Sequence, residues 1–287
     1  MTYAVPFRSA VVAFAGLLFG VPVVSAQTMR TTTVTRQRHG EKSLNAKIDF
    51  GAGMLTLRAG TSPALYRMSL RYDAERFSPV SRFSSADNQL VLGVQNVGTG
   101  GLRVSSRRHL EQNATVELSP EVDLSLDVTF GAVEAALDFG GLRITDARIR
   151  TTASKSSLHF SRPNRAACST LELNAGAAEF EALKLGNSGC REITFDGGVG
   201  EVTLDMSGAW PSDARLIARV AVGGLTLRLP RNAGVELTVD RFLASFSPAG
   251  FTRRGSSYFS DGFEGKTRHL RIGITSKVGD VKVEWVN

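Results

Sequence analysis

LELNAGAAEFEA at residues 171–182 is followed by ITFDGGVGEVTL at 193–204 and by LIARVAVGGLTL at 216–227. Laid over one another, the three stretches share one pattern. Aliphatic residues alternate with polar ones, a small residue (Ala178, Gly200, Gly223) stands eighth, and the alternation resumes behind it. Alternation with period two marks strands that bury one face. Its recurrence at a fixed interval marks a repeat architecture, in which one unit cannot bury its face alone and stacked copies share a core.

The pattern extends in both directions. Small or short residues at Val133, Ser156, Ala178, Gly200, Gly223, Ala244 and Gly279 lie 23, 22, 22, 23, 21 and 35 residues apart. Seven positions before each stand Leu126, Ile149, Leu171, Ile193, Leu216, Leu237 and Ile272, every one Leu or Ile. The predicted fold is all-β: a single-stranded, right-handed β-solenoid with rungs of about 22 residues, each a strand, a glycine-rich corner and a strand. The handedness follows from the general rule for parallel crossovers. An antiparallel sandwich would instead use Asp196-Gly197-Gly198 and Gly223-Gly224 as hairpin turns. The near-constant interval favours the solenoid.

Upstream of the repeats the chain changes character. Arg8, an apolar run from Ala10 to Gly20, Pro22 and the small residues Val24-Ser25-Ala26 read as a secretory signal over 1–26, with 287 − 26 = 261 residues behind it. The run is shorter than the roughly 20 residues of a spanning helix, and no transmembrane segment is expected in the mature chain. Residues 27–43 read as a basic N-terminal arm, 44–95 as an N-terminal β block capping the stack, 96–116 as a glycine-rich basic connection, and 117–287 as the repeat domain. The expected location is exported: periplasm, cell envelope or extracellular.

Lys and Arg number 34 against 27 Asp and Glu, a net charge of +7 that is scattered along the chain. An exported chain without a recognisable binding module is not expected to bind nucleic acid. An anionic envelope polymer, a polysaccharide or an envelope protein is the expected partner class.

GAGMLTL at 51–57, then Leu65-Tyr66 and Arg71-Tyr72-Asp73, resembles the opening block of the bacterial toast-rack family. YFSDGF at 258–263, Leu270-Arg271-Ile272 and VGDVKV at 278–283 are similar to the way those domains end. Related families include adhesin-like domains and cell-wall-active-antibiotic response proteins. The resemblance covers most of residues 44–287 and implies a stacked β-solenoid at the cell envelope. It implies no catalytic residues.

Candidate chemistry is sparse. Cys168 and Cys190 each stand ten residues before their small anchor, so they occupy equivalent places in successive repeats. Neighbouring strands lie about 4.8 Å apart, within the roughly 4.4–6.8 Å that a disulfide spans; an oxidising compartment permits the bond. Glu179 and Glu201 follow their anchors by one residue, with Glu134 a further repeat away. They are read as a solvated ladder rather than as a glycosidase pair. His39, His109, His159 and His269 fall at unrelated registers, so neither a metal site nor a nucleophile–histidine pair is expected. No cofactor is expected either. The 35-residue interval before Gly279 holds an insertion with Phe251, Arg253, Arg254, Tyr258, Phe259 and Phe263. These are candidate ligand contacts, against a flap whose aromatics close the end of the core. The expected role is a non-catalytic, adhesin-like envelope module. The alternative is a carbohydrate-active β-helix enzyme, a polysaccharide lyase or hydrolase.

Overall fold

Fifteen strands account for most of the described residues: β1 (Met29–Gln37), β2 (Ser43–Ala59), β3 (Ala64–Asp73), β4 (Phe77–Ser84), β5 (Gln89–Asn96), β6 (Asn113–Leu118), β7 (Asp123–Asp138), β8 (Arg143–His159), β9 (Thr170–Leu183), β10 (Glu192–Asp205), β11 (Ala214–Pro230), β12 (Gly234–Phe246), β13 (Phe251–Arg254), β14 (Ser257–Ser260) and β15 (His269–Val286). The structure is a computed structural model and describes residues 28–61, 63–97 and 112–287. The signal expected over 1–26, most of the 96–116 connection and His109 lie outside those residues. The strands form one large, mostly parallel sheet, in the order β1-β3-β6-β2-β7-β8-β9-β10-β11-β15-β12-β14-β13, with β4 and β5 attached at β2.

The long strands explain the repeating sequence. In β7, Leu124, Leu126, Val128 and Phe130 are buried at even positions, then Val133, Ala135 and Leu137 at odd ones. The same change of phase falls in β10 between Phe195 and Val202, and in β11 between Val220 and Leu225. Each strand therefore runs through its small residue without ending there, bending where the phase changes. Phe180, beyond the bend of β9, touches Phe195, before the bend of β10, with ring centroids 5.6 Å apart. Side chains of the two strand halves thus meet across the interior, and the sheet is folded along the row of small residues with its core inside. At the bend Gly200, Gly223 and Gly279 have φ of 144°, 127° and 133°, a region in which side chains are strained. They are consecutive partners in the sheet. On the outside of the bend Val199, Val222, Val278 and Leu243 form a matching exposed row.

All seven ladder residues of the sequence reading are buried, none more than 2 % exposed. Their register is corrected at two places. Ala147, not Ile149, pairs with Leu126 and with Leu171, and Ser154, not Ser156, pairs with Ala178. A slip of two keeps every side chain on its own face, so alternation alone cannot detect it. The stacking order also differs from chain order. Ile272 of β15 lies between Leu216 and Leu237, because β15 inserts between β11 and β12. Finally, the segment read as a basic arm contains β1. Its Thr31-Thr32-Thr33-Val34-Thr35 run is β-branched, which suits a pleated surface, and it pairs antiparallel with β3.

Ile193 is 1 % exposed between Leu171 and Leu216. Ile193→Val should lower the unfolding free energy by about 1 kcal/mol, the usual cost of one buried methylene. Urea denaturation with an unchanged slope would be the check.

The turn after β7 carries a titratable element. Asp138 accepts hydrogen bonds from the Gly140 amide (2.8 Å), the Ser161 hydroxyl (2.7 Å) and the Ser161 amide (3.3 Å). Burial pushes its carboxyl up, but those three donors, helped by His159, outweigh burial and hold it below the ordinary aspartate value. Its stabilising contribution is therefore complete above the unfolded value and is lost as pH falls through the lowered folded value. Asp138→Asn should cost about 1 kcal/mol at pH 7 and leave a melting temperature that falls less steeply below pH 4. Equal acid slopes in both proteins would refute the assignment.

Candidate functional site

The insertion lies between β12 and β15. β13 and β14 form a hairpin in which Thr252 pairs with Phe259 and Arg253 with Tyr258, and β14 pairs with β12 at Glu236 and Leu237. Two of its aromatics, Phe251 and Tyr258, pack against the core. Tyr258 sits edge-on to Phe246 at 5.3 Å, and Phe251 packs on Trp285 at 5.1 Å. Phe259 meets Phe263 edge-on at 5.0 Å, and Phe263 lies against His269 at 4.6 Å. Arg253 and Arg254 are exposed, lying over Tyr258 and Phe259 respectively, and Arg254 is paired with Glu264.

Glu134, Lys155, Glu179 and Glu201 occupy one cross-strand row on β7 to β10. The sequence reading aligned the three carboxylates but missed the lysine between them, because Lys155 belongs to the strand whose register slipped. Lys155 Nζ stands 3.2 Å from Glu179. A shallow depression of about 300 Å³ lies over this row, also lined by Met54 and Glu181. The opposite outward face is laced with cross-strand ion pairs, among them Arg150–Asp127 at 2.7 Å, Arg148–Glu172 at 2.5 Å and Arg219–Asp196 at 2.9 Å. The hydrogen bond from Arg148 holds the Glu172 carboxyl below the ordinary range, against the opposing effect of burial. His39 lies in the connection between β1 and β2, His159 ends β8 and His269 begins β15, and the three are not brought together. No cluster of three or more metal-ligating side chains occurs among the described residues.

Cys168 and Cys190 are joined by a disulfide, with Cα atoms 4.3 Å apart. Both are buried and stand just ahead of β9 and β10, in stacked inter-strand loops. Two asparagines tie those loops together. The Asn164 side-chain amide donates to the carbonyls of Ile144, Ala166 and Ser188 at 2.8–3.0 Å, and its oxygen accepts from the Ile144 amide. Asn187 repeats the device one loop on: it donates to the Phe160 carbonyl at 2.9 Å and accepts from the Ala209 amide at 2.9 Å. The third loop carries Trp210, whose indole N–H donates to the Met206 carbonyl at 2.8 Å. Gly186 lets it approach, since a Cβ there would fall 2.8 Å from the indole nitrogen. The sequence reading passed over Asn164, Asn187 and Trp210. The 23-residue spacing of the two asparagines, equal to a repeat, was the available signal.

The family model described as the N-terminal domain of toast_rack, DUF2154, matches residues 24–169, just over half of the chain. No curated protein matches it. Among solved structures the chain is similar to a candidate cell adhesion protein from Clostridium sporogenes, at 14% identity and a TM-score of 0.48, with 90% of this chain and 100% of that one covered. A candidate adhesin from Bacteroides fragilis is 13% identical with a TM-score of 0.44, covering 90% and 98%. A candidate lipid-binding protein from Parabacteroides distasonis is 8% identical with a TM-score of 0.37, covering 90% and 97%.

Proposed function

The chain belongs to the toast-rack family, and from that premise we propose that it is an exported, non-catalytic envelope module that binds rather than transforms its partner. In this reading the folded parallel stack is a single right-handed solenoid with rungs of about 22 residues, and it serves as a rigid support for binding loops. The observation that carries the reading is the disulfide between adjacent loops, a bond that persists in oxidising compartments and is rare in the cytosol. The carboxylate row supports binding over turnover: Glu179 is paired with Lys155, and the polar groups of the outward face are largely consumed by one another. The partner class is an anionic envelope polymer, a polysaccharide or an envelope protein. Incubation of the purified protein with a panel of envelope polysaccharides should give retention without new reducing ends or unsaturated products. Turnover in the absence of added cofactor would overturn the reading.

A further inference from the structure

Three loops on one side of the sheet enclose a cleft of about 500 Å³, lined by Pro163, Arg165, Arg191, Trp210, Pro211 and Ser212 among others. We propose that this cleft is a binding site for acidic polysaccharide, in which a sugar ring lies on Trp210 and Pro211 and its anionic group meets Arg165 and Arg191. The inference rests on the binding reading given above and says which site and which chemistry serve it.

The volume is that of an ordinary small-ligand site, roomy enough for one or two sugar units of a longer chain. The lining has both parts that such a ligand needs. Trp210 is half-buried, packed against the core, with its N–H already bonded inside the protein; what remains for a ligand is an apolar surface beside the exposed Pro211. Arg165 and Arg191 are exposed on the neighbouring loops. Among the described residues Arg191 has no carboxylate partner, and Arg165 makes only long contacts, with the Pro120 carbonyl at 3.4 Å and Glu121 at 3.5 Å. A guanidinium suits the planar fork of a carboxylate. Arg268 adds charge at the rim, its side chain donating to the Trp210 carbonyl at 3.4 Å. The depression over the Glu134 row has the opposite charge and would repel the same ligand.

The cleft is also held open before any ligand arrives. The disulfide joins its first two loops, Asn164 and Asn187 cross-link all three through their side-chain amides, and the Asn164 amide donates to the Asn187 carbonyl at 2.7 Å. Binding groups fixed in this way lose little freedom on association. That is the physical difference from the β13–β14 hairpin, whose Phe251 and Tyr258 pack on the core and whose Arg254 is already paired.

The test uses the full oxidised protein and three probes at 150 mM salt: polygalacturonate (ring and charge), neutral dextran (ring alone) and polyphosphate (charge alone). Titration calorimetry should show polygalacturonate binding at least tenfold tighter than either of the others. Trp210→Ala should weaken it tenfold or more, and Arg165→Glu with Arg191→Glu should weaken it thirtyfold or more. Arg253→Ala with Arg254→Ala should leave it unchanged. The two arginines are exposed, so the charge-reversed protein is expected to fold even if Trp210→Ala does not. Equal binding of polyphosphate that survives the arginine reversal would overturn the proposal in favour of diffuse charge attraction. Polygalacturonate binding lost only with Arg253 and Arg254 would overturn the site while sparing the binding reading. Failure of the protein to retain any polymer or envelope protein would overturn both.

Discussion

Gly223→Ala is expected to lower the unfolding free energy by about 4 kcal/mol, the sum of backbone strain and overpacking. At φ 127° the Gly223 backbone occupies a conformation that L side chains rarely adopt. A Cβ there would also land on the Gly200 carbonyl oxygen, well inside contact distance. Neither problem can be relieved locally, because the obstructing atom is backbone and its own strand is paired on both sides. Gly200 and Gly279 stand in the same row with the same obstruction, by Ala178 and Gly223 respectively. Gly273→Ala is the control: it is a strand glycine without positive φ, and its added methyl would meet nothing within 4 Å. It should change stability by no more than about 0.5 kcal/mol. Matched urea denaturation curves for the two variants decide the matter. If Gly223→Ala is as mild as Gly273→Ala, the bend does not depend on glycine.

That bend shows how far the sequence could be read and where it stopped. Leu171, Ile193 and Leu216 were legible as a buried ladder, because a residue facing the core must be apolar and a strand returns to the core every second position. The small residues Ala178, Gly200 and Gly223 were legible as a row for a similar reason: backbone packs on backbone there and leaves no room for a side chain. Ile149 and Ser156 were misplaced by two because hydrophobicity has period two and so cannot tell a register from its neighbour two residues away. Only the hydrogen bonds of β8 to β7 and β9 fix it. The placement of β15 between β11 and β12 was hidden for a different reason. Repeats in sequence order suggest stacking in sequence order, whereas the chain leaves the stack for the β13–β14 hairpin and returns one position inward. The cleft was hardest to see. Its arginines, prolines and tryptophan stand at places that do not recur from loop to loop, and they become a site only when Asn164 and Asn187 fasten those loops together. The insertion stayed open to two readings, ligand contact or flap, since aromatics mixed with arginines look alike whether they cover a core or await a ligand.

The double substitution Cys168→Ala, Cys190→Ala is expected to cost about 4 kcal/mol. Roughly 3 kcal/mol comes from freeing the unfolded chain of a loop closed over a separation of 22 residues. About 1 kcal/mol more comes from the apolar contacts of two sulfurs whose residues are 3 % and 1 % exposed. The native fold should survive, because the loops keep the Asn164 and Asn187 bonds and the strands behind them are paired along their length. Wild type and variant should therefore differ in two measurable ways. Under reducing conditions the wild type should lose most of that margin, whereas the variant should be indifferent to reductant. Native-state hydrogen exchange should also quicken first at the amides of Asn164, Arg191 and Glu192, which bond to the neighbouring loop, before any change at Ile193 in the strand. A loss below about 1 kcal/mol, with exchange unchanged at those amides, would mean that the asparagines alone hold the register and that the bridge is dispensable to the fold. A loss near the expected value, with exchange confined to the loops, identifies the disulfide as the brace of the cleft: it acts on the walls that carry Arg165 and Arg191 and leaves the sheet beneath them intact.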